Sequence, residues 1–212
     1  MRFALAALVT IALADVAHAR TIVLTEADCE LMACIQADAP RMSWAGTANT
    51  TAEYGVNAID LYPGKSAFLI KYPLEKIPPG QKITRAEWLI PYQIVSPPGG
   101  ARLQVRRILK TWGPGVSHLN RMTRPQKVPW SVPGARGVGQ DRAAEATAVV
   151  SIKNSGEQSV NVTQDVELWY AGAAQNNGWM ITLEDQDSWI RIGSPMWSNP
   201  KGYKLRITFE PE

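Results

Sequence analysis

Residues 68–94 read FLIKYPLEKIPPGQKITRAEWLIPYQI. Two apolar-rich runs flank Ile77-Pro78-Pro79-Gly80, which cannot be helical. Paired prolines fix φ and offer no N–H, and Gly80 can take the positive φ that such a turn needs. Phe68, Ile70 and Tyr72 fall on one face of an extended chain. Ile83, Ala86, Trp88, Ile90 and Tyr92 recur at near-alternate positions, the period of half-buried strands. The stretch predicts an all-β domain and carries no chemistry of its own.

The same punctuation recurs along the chain, at Tyr62-Pro63-Gly64, Pro97-Pro98-Gly99-Gly100, Gly113-Pro114-Gly115, Pro133-Gly134 and Asn176-Asn177-Gly178. Between these turns the residue patterns predict strands over 21–24, 67–72, 83–92, 102–109, 147–152, 158–162, 178–183, 189–192 and 203–209. Many short strands at this spacing predict a sandwich or jelly roll. Residues 163–172 break the pattern. Thr163 suits an N-cap, acids fill the first turn, Val166, Trp169 and Tyr170 recur at helical spacing, and Gly172 suits the stop. A short helix is expected there, with Trp169 as its core anchor.

Residues 1–19 read as a secretory signal: a short positive start, an apolar run interrupted by Asp15, and Ala17-His18-Ala19 at the cleavage point. That run is too short to span a bilayer comfortably, so no membrane span is expected. One domain is expected over residues 20–212, secreted to the extracellular space or to the periplasm and envelope. The formal net charge is +3, which suits acidic glycans or wall polymers, whereas nucleic-acid binding usually shows denser cationic clusters.

Export permits a disulfide between Cys29 and Cys34. Five residues apart in a helix, their Cα atoms would lie about 8 Å apart, out of reach, whereas a tight β-turn would bring them together. The bridge is the expectation, anchoring the N-terminal strand. No second Cys or His pair completes a zinc pattern.

Four blocks, FLIKYPLEKIPPGQKITRAEWLI, LQVRRILKTWGPGVSHLNRMTRP, VNVTQDVELWYAGAAQNNGWMITL and IRIGSPMWSNPKGYKLRITFEPE, stand in order along the chain. Together they resemble the DNRLRE-domain family of secreted bacterial β-sandwich modules, some of them classed as carbohydrate-binding. The resemblance spans roughly residues 21–211 and departs from the family at Lys71-Tyr72-Pro73-Leu74, near His118-Leu119-Asn120-Arg121, and at Asn161. It implies an all-β, jelly-roll-type antiparallel β-sandwich with one short helix, and assigns Trp88, Trp112 and Trp169 to core.

Eight tryptophans beside three phenylalanines point the same way, because sugar C–H faces pack on indole and phenol rings. Trp44, Trp130, Trp189 and Trp197 lie in or beside predicted loops, and Tyr54 can join them as a ligand platform. For acidic polymers, Arg121, Arg124 and Lys127 crowd one loop and suit carboxylate or sulfate. Strand alternation turns Arg106 outward, and turns Arg107 inward, where it needs a partner. Many secreted carbohydrate-binding sandwiches carry a structural calcium. Asp28, Glu184, Asp185 and Asp187 are its candidate ligands, although solvated turns account for these acids as well.

Catalysis is not expected. His118 sits in a Gly/Pro-rich loop without a nucleophile elbow, and the acids of LEDQDSW lie between predicted strands. Gly134 to Asp141 lacks a phosphate-loop ending and reads as a surface loop. The expected function is a non-catalytic module binding polysaccharide or cell-envelope glycan. A structural or adhesive protein engaging protein partners is the alternative, followed by a small polysaccharide lyase or hydrolase.

Overall fold

The computed structural model describes residues 18–42, 44–46, 58–96, 100–153, 156–183, 189–193 and 202–212. Its strands are β1 (Arg20–Leu24), β2 (Leu31–Gln36), β3 (Trp44–Gly46), β4 (Ala58–Leu61), β5 (Ser66–Lys71), β6 (Gln81–Ser96), β7 (Ala101–Arg107), β8 (Asn120–Met122), β9 (Val128–Pro129), β10 (Ala148–Ile152), β11 (Gly156–Asn161), β12 (Trp179–Leu183), β13 (Trp189–Gly193) and β14 (Lys204–Pro211), with one helix, α1 (Thr163–Tyr170). Every predicted strand is present, with ends moved by a few residues.

All pairings between named strands are antiparallel. In the first sheet Trp88 and Leu89 of β6 pair with both β11 and β14, and Tyr92 pairs with both β11 and β13. The sheet therefore contains the order β4-β13-β6-β11, with β14 continuing the β13 side and β1 beyond it. The second sheet contains β5-β12-β7-β10, extended by β2 and β3. From β4 to β13 the chain alternates between these two sets of four strands, except from β7 to β10, which neighbour each other in the second sheet. This is the connectivity of a jelly roll. The fold is an all-β sandwich.

The stretch that announced the fold is a crossover between the layers. β5 lies in the second sheet and β6 in the first, so Ile77–Gly80 passes from one to the other. Gly80 has φ +70°. The Tyr170 hydroxyl at the end of α1 donates to the Pro78 carbonyl at 2.5 Å and accepts from the Gln81 N–H at 3.1 Å, pinning the turn. The uneven step from Ile83 to Ala86 is a β-bulge: Thr208 pairs with Arg85 and Phe209 with Ile83, leaving Thr84 extra. Such an insertion keeps both Ile83 and Ala86 on the core side.

Between the sheets lies an aromatic core. Trp88 stacks on Trp179 with ring centroids 5.6 Å apart, Phe68 on Tyr203 at 4.9 Å, and Trp169 meets Trp179 at 4.6 Å. A smaller apolar cluster forms on the outside of the second sheet. Ala33, Ile35, Ala67, Leu69 and Met180 lie on the strands and are covered by Ile108, Trp112, Val116, Trp130 and Ala135 from the chain after β7. This explains why β2 escapes sequence reading. Its LMACIQ run is buried on both faces, with Met32 and Cys34 toward the inner core and Ala33 and Ile35 toward the outer cluster, so no alternation shows. β3, β4, β8 and β9 are too short to show a period.

Two local expectations are corrected. Cys29 and Cys34 are free, buried thiols. β2 is extended from Leu31 through Cys34, a separation of about 10 Å that a tight turn would have removed. The Cys29 thiol donates instead to the Leu31 and Lys71 carbonyls, and Gln36 donates to the Cys34 sulfur. Burial pushes both thiols up to about 12. At the helix, Thr163 is the first helical residue and Val162 stands at the cap. Asn161 caps the start by accepting the Thr163 N–H at 3.0 Å, while Gly172 ends the segment at φ +69°.

The Tyr203 hydroxyl is enclosed in the core without a hydrogen-bond partner among the described residues. A buried hydroxyl with no partner carries its desolvation cost uncompensated, so Tyr203→Phe is expected to raise the unfolding free energy by about 1 kcal/mol. A urea midpoint that falls in the variant would show that the hydroxyl has a stabilising partner.

Candidate ligand-binding surface

At the β4 edge of the first sheet, alternation sorts residues cleanly. Leu61, Ile190 and Ile192 are fully buried and face the core. Asp60 and Tyr62 on one side, and Trp189 and Arg191 on the other, therefore face outward. Arg191 stands opposite Asp60 in the ladder, and Ile190 opposite Leu61, which sets Trp189 beside Tyr62.

These four residues form a built surface. The Tyr62 and Trp189 rings stack with centroids 6.1 Å apart and planes 24° apart. Tyr62 is 40% exposed, and Trp189 is half-buried. Arg191 Cζ lies 5.8 Å from the centroid of the Trp189 ring, within cation–π range. Its guanidinium grips Asp60 with two bonds, Nε to Oδ1 at 2.6 Å and Nη2 to Oδ2 at 2.9 Å. The Asp60 hydrogen bonds hold Arg191 above the ordinary guanidinium range. The Tyr62 ring and the Arg191 guanidinium together restrain the indole, so a ligand that contacts the pair costs little side-chain entropy on binding.

Elsewhere the outer face of this sheet pairs its charges internally. Glu87 takes Arg85 at 2.9 Å, Arg206 at 3.6 Å and the Ser159 hydroxyl at 3.0 Å, and Lys204 faces Glu157 at 4.0 Å. Among the described residues, Tyr62 and Trp189 form the one stacked aromatic pair with a ring more than a third exposed.

The other predicted site residues part company. Trp130 is not a platform: it is 4% exposed, packed over the second sheet, and its indole N–H donates to the Ser117 carbonyl at 3.0 Å. Trp44 pairs with Cys34 through the β2–β3 ladder, and its side chain lies outside the described residues. Tyr54 and Trp197 also lie outside them. Arg121, Arg124 and Lys127 stay together on the β8–β9 hairpin, where the Arg121 guanidinium donates to the Thr111 carbonyl. Tyr62 escaped sequence reading because its Pro-Gly neighbours marked only a turn, and its partner Trp189 is remote in the chain.

Asp28 does not fit a calcium site. Its Oδ2 accepts the Thr25 N–H at 2.8 Å and the Thr25 hydroxyl at 3.0 Å, and its Oδ1 pairs with Lys76. The Lys76 hydrogen bond, followed by the Thr25 N–H, holds this carboxyl below the usual carboxylate range. The carboxylate thus closes a capping box on the 3-10 turn Glu26–Asp28. Among the described residues no group of three or more His, Cys, Asp or Glu could hold a metal ion. Glu184, Asp185 and Asp187 lie outside those residues.

The inward Arg107 finds its partner in Asp165 of α1, at 3.1 Å. The Asp165 carboxylate also accepts the Trp179 indole N–H at 2.7 Å and the Thr147 hydroxyl at 2.6 Å. This network ties the helix to the second sheet and is part of the scaffold. No described helix is long and apolar enough to cross a membrane. No protein-family model matches the sequence, and no curated protein matches it.

Proposed function

We propose that this chain is a secreted, non-catalytic β-sandwich module of the DNRLRE type that binds polysaccharide or cell-envelope glycan. The observation that carries the reading is the outward Tyr62–Trp189 stack with Arg191 and Asp60 beside it. Stacked rings offer a broad apolar face to the C–H side of a sugar, and the flanking ion pair offers donors and acceptors to its hydroxyls. A protein-binding role needs a larger apolar patch than this pair supplies.

The test is retention of the purified chain on a panel of neutral and acidic polysaccharides by affinity electrophoresis. Trp189→Ala is expected to weaken retention at least about tenfold, the scale of one lost ring contact in a binding site, while leaving the unfolding midpoint nearly unchanged. Equal retention of the variant would remove the platform from the binding site. Failure on every glycan, with saturable binding of a purified envelope protein, would turn the reading to adhesion.

A further inference from the structure

A second cluster of cations lies on the outer face of the other sheet. Arg106 projects there from β7, while Arg136 and Arg142 come from the loop that the Gly-rich run builds. That loop is wound around Asp141, which is fully buried. Asp141 Oδ1 accepts the Ser131 N–H at 2.9 Å, and its Oδ2 accepts those of Val132 at 2.9 Å and Gly137 at 3.0 Å. A Cβ on Gly137 would sit 2.6 Å from Oδ2, so the wrapping needs glycine there. The carboxylate is thus occupied by backbone donors and forms no ion pair with the neighbouring arginines.

Arg136, Arg142, Gln104, Thr182, Gly64 and Leu183 line a groove of about 250 Å³. Gln104 and Thr182 stand opposite each other across β7 and β12. Arg106 Nε donates to Gln104 Oε1 at 3.0 Å, which leaves Gln104 its amide N–H groups to present. Arg106 Nη1 donates to the Ala143 and Ala144 carbonyls. Arg142 Nε is enclosed and has no hydrogen-bond partner among the described residues. No described carboxylate pairs with Arg136 or Arg142. Burial, followed by the like charges of Arg106 and Arg136, pulls Arg142 below the usual guanidinium range.

The groove therefore gathers two uncompensated guanidinium groups, an amide and a hydroxyl. Two guanidinium groups side by side with no carboxylate between them repel each other, and an oxyanion in the groove accepting from both relieves that repulsion. We infer that this groove is an anion site for a carboxylate or sulfate group, either free or carried on a sugar residue. Its volume suits one acidic monosaccharide. The inference stands apart from the Tyr62–Trp189 reading, since the groove is built on the other sheet and uses none of those four side chains.

The test is thermal unfolding of the full chain in sodium sulfate against sodium chloride at equal ionic strength, followed by calorimetric titration with glucuronate and with a polyglucuronate. Sulfate stabilises proteins generally by exclusion, so the informative quantity is the excess shift of the wild type over variants. That excess is expected to be about 2 °C over Arg136→Gln/Arg142→Gln. Thr182→Glu is expected to abolish the excess and to raise the midpoint in chloride alone by about 2 °C, because its carboxylate satisfies the arginines from within. This second variant keeps the test decisive if the double variant folds poorly.

Equal sulfate shifts in the wild type and Thr182→Glu, or a Thr182→Glu midpoint in chloride no higher than the wild type, would overturn the anion site. In the titrations, tighter binding per site of polyglucuronate than of glucuronate, lost in Thr182→Glu, assigns the anion to a polymer. Equal binding per site, also lost in Thr182→Glu, assigns it to a free acid. Binding of glucuronate and polyglucuronate that survives in Thr182→Glu would place the anion elsewhere and overturn the groove. Trp189→Ala leaves every one of these groove readouts in place, so failure here and failure of the platform are distinguishable.

Discussion

Asp165→Ala is expected to cost about 3–5 kcal/mol of unfolding free energy, as expected when one partner of a buried pair is deleted. The residue is 5% exposed and its carboxylate serves three groups at once: Arg107, the Trp179 indole and the Thr147 hydroxyl. Truncation strands the inward guanidinium and two further donors. The loss is comparable with the whole stability of a marginal domain, about 5–15 kcal/mol. Asp165→Asn keeps the volume and one acceptor but removes the charge, so it should fall between the wild type and Ala. Urea unfolding with an unchanged m-value checks both. A loss below about 1 kcal/mol would mean that Arg107 turns to solvent when released, and that the network contributes little.

Trp88→Ala is expected to cost a similar 3–5 kcal/mol, through lost transfer energy and the cavity left behind. Trp88 is fully buried on β6, stacked on Trp179 and within 6.5 Å of Tyr203. Its indole N–H has no hydrogen-bond partner among the described residues, so Trp88→Phe loses no bond and should retain much of the stability. Asp165 holds Trp179 by its indole N–H and Trp88 stacks on its ring, so the effects of Asp165→Ala and Trp88→Ala are expected to be non-additive. Additive losses in the double variant would show that the helix network and the aromatic stack are independent.

How much was legible in the residues follows from the range over which each signal acts. Trp88, Ile90 and Tyr92 declared a strand because alternation is local, and Trp169 declared a core position because helical spacing is local. Trp130 failed the same logic. Its neighbours Pro129 and Pro133 spell loop, yet the loop folds back over Leu69 and Met180 and buries the ring. Cys29 and Cys34 failed because β2 is buried on both faces and hides its own period. The Gly134–Asp141 run looked like surface loop, because only three dimensions reveal a fully buried aspartate at its centre.

Taken alone, the sequence determined the all-β class, nearly all the longer described strands, the α1 helix, the inward Arg107 and the Ile77–Gly80 turn. Each is set by periodicity or by the backbone limits of proline and glycine, which neighbouring residues impose. The tertiary structure alone decided that residues 68–94 cross between sheets rather than pair, that Tyr62 stacks on Trp189, and that Arg136 and Arg142 share one groove. Those facts depend on strand order and ladder register, which bring together residues that no local pattern connects.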